Sequence, residues 1–250
     1  MLNKKSINSY QINGELKIKN LLSDAEIFKI KKELQSFLIN NKKNLILAKN
    51  FNYLKNSNKI SSLHRLEKYK KLYFFKISNK KKFKNLAESL IGSQAKLLSV
   101  QFFFKKKGEN KATPPHQDNA YWCYKNGNGL SFWITLNSTN KKNGSLYYYQ
   151  GSHKKDLKHF PSSNTPGSSQ ILKKIDKKYI RKSYSLKRGD GVAHDSRIIH
   201  GSTNNITNKN RSAFVISYVS VNSAKDKKKQ KSYEKKLISS NKNRQRKMLQ

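Results

Sequence analysis

The stretch SAFVISYVSV, residues 212–221, is the strongest β-strand pattern in this chain of 250 residues. It is filled with β-branched and aromatic residues, which are enriched in strands. Similar runs precede it at 97–105, 130–137, 145–150 and 183–186. Turn sequences separate the runs: NGNG at 126–129, KKNG at 141–144 and KRGDG at 187–191. The pattern predicts a succession of short antiparallel strands between residues 97 and 221.

Two helices are predicted ahead of these strands. Residues 22–39 carry apolar side chains at helical spacing, with Ser23 or Asp24 as the N-cap, and residues 80–91 repeat the pattern. Residues 40–62 are polar and give no clear pattern. Helices followed by many short strands predict an α+β, mainly β fold: an antiparallel barrel or jelly roll buttressed by the N-terminal helices.

Residues 1–222 are predicted to form a single domain. The chain contains Phe 12, Tyr 13 and Trp 2, which supply enough large side chains for a core and argue against a disordered chain. Residues 223–250 are rich in lysine and almost devoid of large apolar residues. This composition predicts a basic tail that is either disordered or helical.

The net charge of +40, from 54 Lys and Arg against 14 Asp and Glu, has two explanations. A charge of this size attracts nucleic acid or anionic lipid. The excess is mostly lysine, it is scattered along the chain, and asparagine accompanies it, as an adenine- and thymine-rich genome would produce. We favour this bias, and we expect non-specific binding to polyanions without a specific nucleic-acid partner.

The sequence also carries signals of location. No run of 18 apolar residues predicts a membrane span, and the N-terminus lacks the apolar core of a signal peptide. Cys123 is the only cysteine, so no intramolecular disulfide can form. These features lead us to expect a cytoplasmic protein. They leave its oligomeric state open.

His116 and Asp118 lie two residues apart in PPHQDNAYW, residues 114–122. On a strand, side chains at i and i+2 share one face, so this imidazole and carboxylate could both bind one divalent metal ion. The spacing alone is weak, since short motifs also occur by chance. His200 follows an apolar pair, as a ligand at a strand end would. Arg211 opens the last strand, where its guanidinium could bind a carboxylate through two parallel hydrogen bonds.

Residues 97 to 221, together with the N-terminal helix, resemble the phytanoyl-CoA dioxygenase family of Fe(II)- and 2-oxoglutarate-dependent oxygenases. The resemblance rests on motifs in matching order: HQDNAYW at 116–122, GSLYYYQGSH at 144–153, GD at 189–190, and HGSTNN at 200–205 followed by Arg211. HQD with an aromatic pair and a glycine-rich turn is also similar to the ectoine-hydroxylase-like bacterial members. The resemblance implies a double-stranded β-helix, the cupin-like jelly roll.

The resemblance also implies a role for particular residues. It implies that His116, Asp118 and His200 bind Fe(II), and that Arg211 pairs with the distal carboxylate of 2-oxoglutarate. Ser202 or Thr203 would then be a hydroxyl donor nearby. Gln101 and Lys105 would make polar contacts to co-substrate or substrate, and Tyr121 and Trp122 would line the substrate pocket. Asn143, Gly144 and residues 151–153 would shape turns of the barrel.

The implied reaction consumes 2-oxoglutarate and O2, releases succinate and CO2, and hydroxylates a C–H bond of a small-molecule substrate. Asp118 favours hydroxylation over halogenation, since halogenating relatives replace that carboxylate. Two alternatives stay open: an oxygenase acting on nucleic acid, to which the charge points, and a non-catalytic jelly-roll binding module. The sequence does not identify the substrate.

The remaining candidate residues receive structural explanations. The pair His194–Asp195 is expected to support the metal site from behind or to be structural, and Arg197 to form a salt bridge. His153 is expected to shape a turn, and Trp133 to pack in the core. Ordinary surface positions are expected for His64 and His159.

Overall fold

The structure is a computed structural model that describes residues 2–47, 51–53, 60–109, 111–161 and 169–235. The helices are α1 (Lys4–Asn13), α2 (Asp24–Leu47), α3 (Tyr73–Ser78), α4 (Lys81–Ile91) and α5 (Asn119–Trp122). Residues 227–235 are also helical. The strands are β1 (Glu15–Ile18), β2 (Phe51–Tyr53), β3 (Ile60–Leu63), β4 (Ala95–Lys105), β5 (Thr113–His116), β6 (Gly129–Thr135), β7 (Leu146–Tyr149), β8 (Phe160–Pro161), β9 (Ser169–Gln170), β10 (Arg181–Ser183), β11 (Gly191–Asp195), β12 (His200–Ser202) and β13 (Arg211–Ser220).

Two antiparallel sheets form the body of the protein. The larger sheet has the strand order β1–β11–β6–β13–β4–β3–β2, and the smaller sheet has the order β10–β7–β12–β5. Apart from the consecutive strands β2, β3 and β4, neighbours within each sheet are far apart in the sequence, because the chain crosses repeatedly between the sheets. This arrangement is the double-stranded β-helix, and the predicted jelly roll is confirmed.

The central strands of the larger sheet bury both of their faces. Phe132 on β6 and Phe214 on β13 pack against the helices in the main apolar core. Trp133 and Val215, their neighbours in the sequence, point the other way and pack with Tyr148 of the smaller sheet. Since side chains alternate along a strand, each of these strands contributes to a helix-facing layer and to an interior layer between the sheets.

Helix α2 closes the outer face of the larger sheet. Its start is fixed by a capping box, in which the Ser23 N–H donates to Glu26 (2.9 Å) and the Glu26 N–H donates to the Ser23 hydroxyl (3.2 Å). The helix runs to Leu47, past the predicted end at residue 39. Its apolar stripe is buried as predicted, at Ile27, Ile30, Leu34 and Phe37. The second predicted helix, 80–91, is confirmed by α4.

Four of the five predicted strands are confirmed with small changes at their ends, as β4, β6, β7 and β13. The prediction for 183–186 is wrong beyond Ser183, where β10 ends. There the chain leaves the smaller sheet, and the Tyr184 hydroxyl donates to the buried Glu15 carboxylate (2.8 Å). Leu186 instead exchanges two backbone hydrogen bonds with Thr139, each 2.9 Å long.

The chain continues past β13 into a short helix. The Asp226 carboxylate accepts a hydrogen bond from the Lys229 N–H (2.9 Å), which caps helix 227–235. Residues 236–250, the remainder of the predicted tail, lie outside the described residues, and the division of the chain at residue 222 stays a prediction. Within the described ranges, no helix combines the length and apolar character needed to cross a membrane.

The GD motif forms a tight turn before β11. Gly189 has a φ of 88°, and its carbonyl accepts a hydrogen bond from the Leu22 N–H (3.1 Å). A Cβ at this position would collide with the Leu22 carbonyl. The Asp190 carboxylate accepts hydrogen bonds from the N–H groups of Asn20 and Lys187, both 3.1 Å. The motif therefore ties β11 to the segment that enters α2.

We expect Gly189→Ala to reduce the free energy of unfolding more than Gly92→Ala does. Both glycines have positive φ, but a Cβ at Gly92 meets nothing within 4 Å. Gly92→Ala should cost about 1–2 kcal/mol for the left-handed backbone alone. Gly189→Ala should cost roughly 1–3 kcal/mol more, because the clash is with backbone. Urea denaturation of both variants measures the difference, and equal costs would contradict the close approach to Leu22.

Candidate metal centre

Two strands of the smaller sheet bring the candidate histidine ligands together. β12 pairs with β5 so that His200 lies directly opposite His116, with ring centroids 4.3 Å apart. Asp118 follows β5 at the start of α5. One ligand atom from each of these three residues lies within 4.8 Å of the others, and all three side chains are buried. The sequence-predicted ligand set therefore converges on one point.

The hydrogen bonds of the two imidazoles decide which ring nitrogen faces that point. Nδ1 of His116 donates to the Pro114 carbonyl (2.9 Å), and Nδ1 of His200 donates to the Ile198 carbonyl (3.0 Å). A carbonyl only accepts, so each Nδ1 carries the proton and each Nε2 presents a lone pair. Both Nε2 atoms lie 3.7 Å from Oδ1 of Asp118. Two imidazoles and one carboxylate are the donor set that non-haem Fe(II) prefers.

The Asp118 carboxylate is held by groups on three other elements. The Tyr121 hydroxyl donates to Oδ1. The Ser131 hydroxyl on β6 donates to Oδ2 (3.3 Å), and Nε2 of His194 on β11 lies 3.5 Å from the same oxygen. Ser131 is paired in turn with the hydroxyl of Ser217 on β13 (2.9 Å). The expectation that His194 supports the site from behind agrees with this position.

Burial and charge set the protonation of the three candidate ligands. Burial acts to raise the pKa of Asp118, but His200, His194 and His116 outweigh it and hold this pKa below its usual range. Burial lowers the pKa of both His116 and His200. The carboxylate is therefore ionised and the two imidazoles neutral at pH 7, and metal binding requires these forms.

Two buried cations lie together at the ends of β4 and β13. Arg211 is 3% exposed and Lys105 is 5% exposed, and the two residues are directly opposite each other in the sheet. An Arg211 Nη atom donates to the Phe103 carbonyl (3.3 Å), the guanidinium lies 5.4 Å from the centre of the Trp133 ring, and its buried Nε has no hydrogen-bond partner. The Lys105 ammonium donates to the Lys111 carbonyl.

Neither cation forms an ion pair with a carboxylate within the described ranges. Burial, and then the charge of Arg211, lower the pKa of Lys105 to about 7. Burial lowers the pKa of Arg211 to about 10. Buried charges without partners are costly, so this pair is suited to an anionic ligand with a carboxylate.

Ser202, Thr203 and Gln101, the other predicted co-substrate contacts, differ in whether they face the interior or the solvent. The Ser202 hydroxyl is buried and donates to the Thr113 hydroxyl (2.8 Å), whereas the Thr203 hydroxyl donates to the exposed Lys141 carbonyl (2.8 Å). Gln101 lies on β4, where its amide donates to the Ser99 hydroxyl (3.1 Å). Thr203 therefore turns toward solvent while Ser202 stays between the strands.

Tyr121 and Trp122, both predicted to line the substrate pocket, lie in different environments. Tyr121 is half-buried and contacts Asp118, so it lies at the metal centre. Trp122 packs against Tyr124 and Val219 in a small apolar cluster. Trp122 thus occupies a core position, because α5 turns its indole inward between β6 and β13.

The prediction that His64 and His159 are ordinary surface residues is wrong. Nε2 of His159 accepts the N–H of Gln117, between the two ligands of the HxD motif (2.9 Å), because the loop after β7 folds back over β5. His64 is half-buried with its ring against Phe103, and burial lowers its pKa to about 4. Trp133, predicted only as core, also faces Arg211.

Two motif residues support the strands that carry the site. The Asn205 amide donates to the carbonyls of Lys105 (3.3 Å), Lys106 (2.9 Å) and Lys209 (2.8 Å). It therefore holds the loop before Arg211 against the end of β4. Gly144 has a φ of 87°, and a Cβ there would press on the Lys105 side chain. Both residues keep the two buried cations side by side.

Comparison with solved structures identifies the class of fold. EctD from S. alaskensis with bound Fe matches with a TM-score of 0.74 and 17% identity, over 90% of this chain and 79% of that one. EvdO2 from Micromonospora carbonacea var. aurantiaca, complexed with 2-oxoglutarate, matches with a TM-score of 0.70 and 18% identity, over 91% and 94%. These likenesses show that the chain shares the overall fold of these proteins.

The sequence identifies the family within that class. Residues 10–213 match the phytanoyl-CoA dioxygenase (PhyH) family, and the chain belongs to it. The peroxisomal phytanoyl-CoA dioxygenase of Bos taurus is 24% identical over 228 residues, covering 85% of this chain and 67% of the relative. L-Proline trans-4-hydroxylase of Streptomyces griseoviridis is 22% identical over 230 residues, covering 84% and 83%. A phytanoyl-CoA dioxygenase of Arabidopsis thaliana is 29% identical, and the match spans about half of its length, 49%.

We expect Lys105→Met to stabilise the protein without added ligands near pH 7. The pKa of Lys105 is lowered from its ordinary value of 10.5 to about 7 in the folded state, so the unfolded chain binds more protons between these two pH values. The destabilisation by Lys105 is therefore largest below pH 7 and declines as pH rises toward 10. Urea denaturation between pH 6.5 and 9.5 should show the advantage of the variant shrinking with pH. The exposed Lys177→Met controls for loss of one positive charge, and a pH-independent advantage would contradict a buried ammonium.

Proposed function

We propose that this protein is an Fe(II)- and 2-oxoglutarate-dependent dioxygenase that hydroxylates a C–H bond of a small molecule and releases succinate and CO2. The observation that carries the proposal is the pairing of a His–Asp–His donor set with two unpaired cations inside one jelly roll. A metal site alone, or a cationic pocket alone, would fit many proteins. Together with membership of the family, they fit an enzyme that binds a metal and a dicarboxylate side by side.

His116, Asp118 and His200 are the residues that would hold Fe(II). Bound iron, with 2-oxoglutarate and O2, supplies the oxidising power needed to attack an unreactive C–H bond. Their protonation suits the role, because both Nε2 lone pairs face the ionised carboxylate. Tyr121 and His194 each contact one oxygen of Asp118 and so fix the orientation of its plane.

Arg211 would bind the distal carboxylate of 2-oxoglutarate. Its fork can donate two parallel hydrogen bonds, and the buried, unpartnered Nε leaves donors for such a ligand. Lys105 would add a second positive charge, and the carboxylate would raise its pKa back toward the charged form. Trp133 covers the guanidinium and keeps water from it. Ser202 is the better candidate than Thr203 for a further hydroxyl contact, since Thr203 faces outward.

We assign the substrate to the small molecules as a class. This rests on the family and on the proline hydroxylase among the relatives. We also propose a cytoplasmic location, because the single Cys123 allows no intrachain disulfide.

We expect reconstituted protein to form succinate from 2-oxoglutarate slowly after O2 is admitted, without added substrate. His200→Ala should abolish this turnover, because removing one of three ligands leaves an incomplete site. The control is Arg188→Lys, an exposed residue paired with Asp24 on the outer surface (2.7 Å), which should turn over like wild type. If wild type bound neither Fe(II) nor 2-oxoglutarate in anaerobic titrations, a non-catalytic binding module would replace the proposal.

Arg211→Lys should weaken 2-oxoglutarate binding by on the order of tenfold or more, since a lysine cannot form the two-pronged contact. Anaerobic titration of the iron-loaded protein measures this affinity directly. Fe(II) affinity should be unchanged, because Arg211 is not a ligand. Equal 2-oxoglutarate affinity in wild type and Arg211→Lys would place the dicarboxylate elsewhere.

A further inference from the structure

The family match ends at residue 213, but the described chain continues to residue 235 and returns to the metal centre. We name residues 222–235 the C-terminal strap and residues 116–124 the metal turn. The strap crosses the outer side of the metal turn, first as an extended segment and then as helix 227–235. None of the motifs that mark the family lies in the strap.

The extended part of the strap is hydrogen-bonded to the end of the metal turn. Tyr124 and Lys225 form an antiparallel bridge, flanked by hydrogen bonds from the Lys125 N–H to the Ala224 carbonyl (2.9 Å) and from the Asp226 N–H to the Cys123 carbonyl (2.7 Å). Cys123 has a φ of 54° and ends α5. The strap therefore satisfies backbone groups at the point where the short helix stops.

Lys225 adds a side-chain contact at the same place. Its ammonium donates to the Trp122 carbonyl, the last carbonyl of α5. The same ammonium lies 3.9 Å from the centre of the Tyr124 ring. A lysine in this position satisfies a carbonyl that has no partner within the helix and complements the negative end of the helix dipole.

Tyr233, on the helical part of the strap, contacts Tyr121, which in turn contacts Asp118 of the metal centre. Its ring is half-buried and lies 6.4 Å from the ring of Tyr121, at 42°. The Tyr121 hydroxyl donates to Oδ1 of Asp118, the oxygen that both ligand imidazoles face. Because the two rings are in contact, the ring of Tyr233 limits how far Tyr121 can swing away from the carboxylate.

On the side that faces residues 156–160, the strap is held by weak contacts. Lys229 forms an exposed ion pair with Asp156 (2.6 Å), and such pairs contribute about 0–1 kcal/mol. A cavity of about 200 Å³ separates the strap from residues 156–160, and Gln117 and Ala120 of the metal turn line it. Lys225 and Tyr233 are the strap residues whose side chains contact the metal turn in these interactions.

We propose that the C-terminal strap sets the position of the metal turn, with Lys225 and Tyr233 as positioning residues that act on Asp118 through α5 and Tyr121. The inference rests on the proposed metal site and extends it to residues outside the family match. It gives residues 222–235 a structural task at the metal centre.

Anaerobic titration of the full-length protein with Co(II), whose absorption spectrum reports ligand geometry, tests the proposal. Tyr233→Ala should weaken Co(II) binding on the order of tenfold, as is typical for groups that orient metal ligands, and should alter the spectrum. Tyr233→Phe retains the ring and should restore both. Lys225→Met should weaken binding independently of Tyr233. The matched control is Tyr179→Ala, a half-buried tyrosine in the loop before β10.

The outcomes separate this inference from the proposed function. If wild type binds Co(II), His200→Ala does not, and both strap variants bind like wild type, the strap inference is overturned while the metal site stands. If wild type does not bind Co(II), both fall. Thermal unfolding without metal should be alike in wild type and Tyr233→Ala. Should Tyr233→Ala unfold, Lys225→Met decides the matter alone, and unchanged affinity in that variant overturns the inference.

Discussion

The buried carboxylate of Asp118 is the charge around which the interior of this protein is arranged. An ionised carboxylate removed from water is strongly unfavourable unless it is paired or hydrogen-bonded. Hydroxyls from Tyr121 and Ser131 donate to it, and Nε2 of His194 lies 3.5 Å away. The imidazoles of His116 and His200 lie 3.7 Å away with their Nε2 lone pairs turned toward it, so that they could share a cation with the carboxylate. These partners come from both sheets and from α5, so the carboxylate links elements that do not pair directly.

The two buried cations form a second charged site in the same interior, opposite in sign to the Asp118 carboxylate. Lys105 and Arg211 face each other across β4 and β13, next to the interior apolar layer that includes Trp133. The Asp118 site is suited to a divalent cation and the Lys105–Arg211 pair to a carboxylate, and Trp133 of the apolar layer lies against the Arg211 guanidinium. In such surroundings charges interact more strongly than they do in water. A ligand that contacts both charged sites therefore gains binding free energy from each of them.

The net charge of +40 by itself predicts little about this site. Most of the lysines are exposed, and their charges are screened by salt over about 10 Å at 0.1 M. Lys105, Lys225 and Arg211 matter because of their positions. Lys105 is buried beside Arg211, and Lys225 caps the helix that starts at Asp118. Composition could not distinguish these from the remaining basic residues.

The sequence by itself determined helices α2 and α4, the longer strands, and the candidate ligands His116, Asp118 and His200, because periodicity and motif spacing are local properties of the chain. What only the tertiary structure decided is which side chains meet. The short strands β5, β11 and β12 have weak patterns of their own, and pairing between distant strands places His194 behind Asp118. The bridge between Tyr124 and Lys225 likewise brings the strap helix with Tyr233 to Tyr121, and no local pattern in the sequence connects these residues.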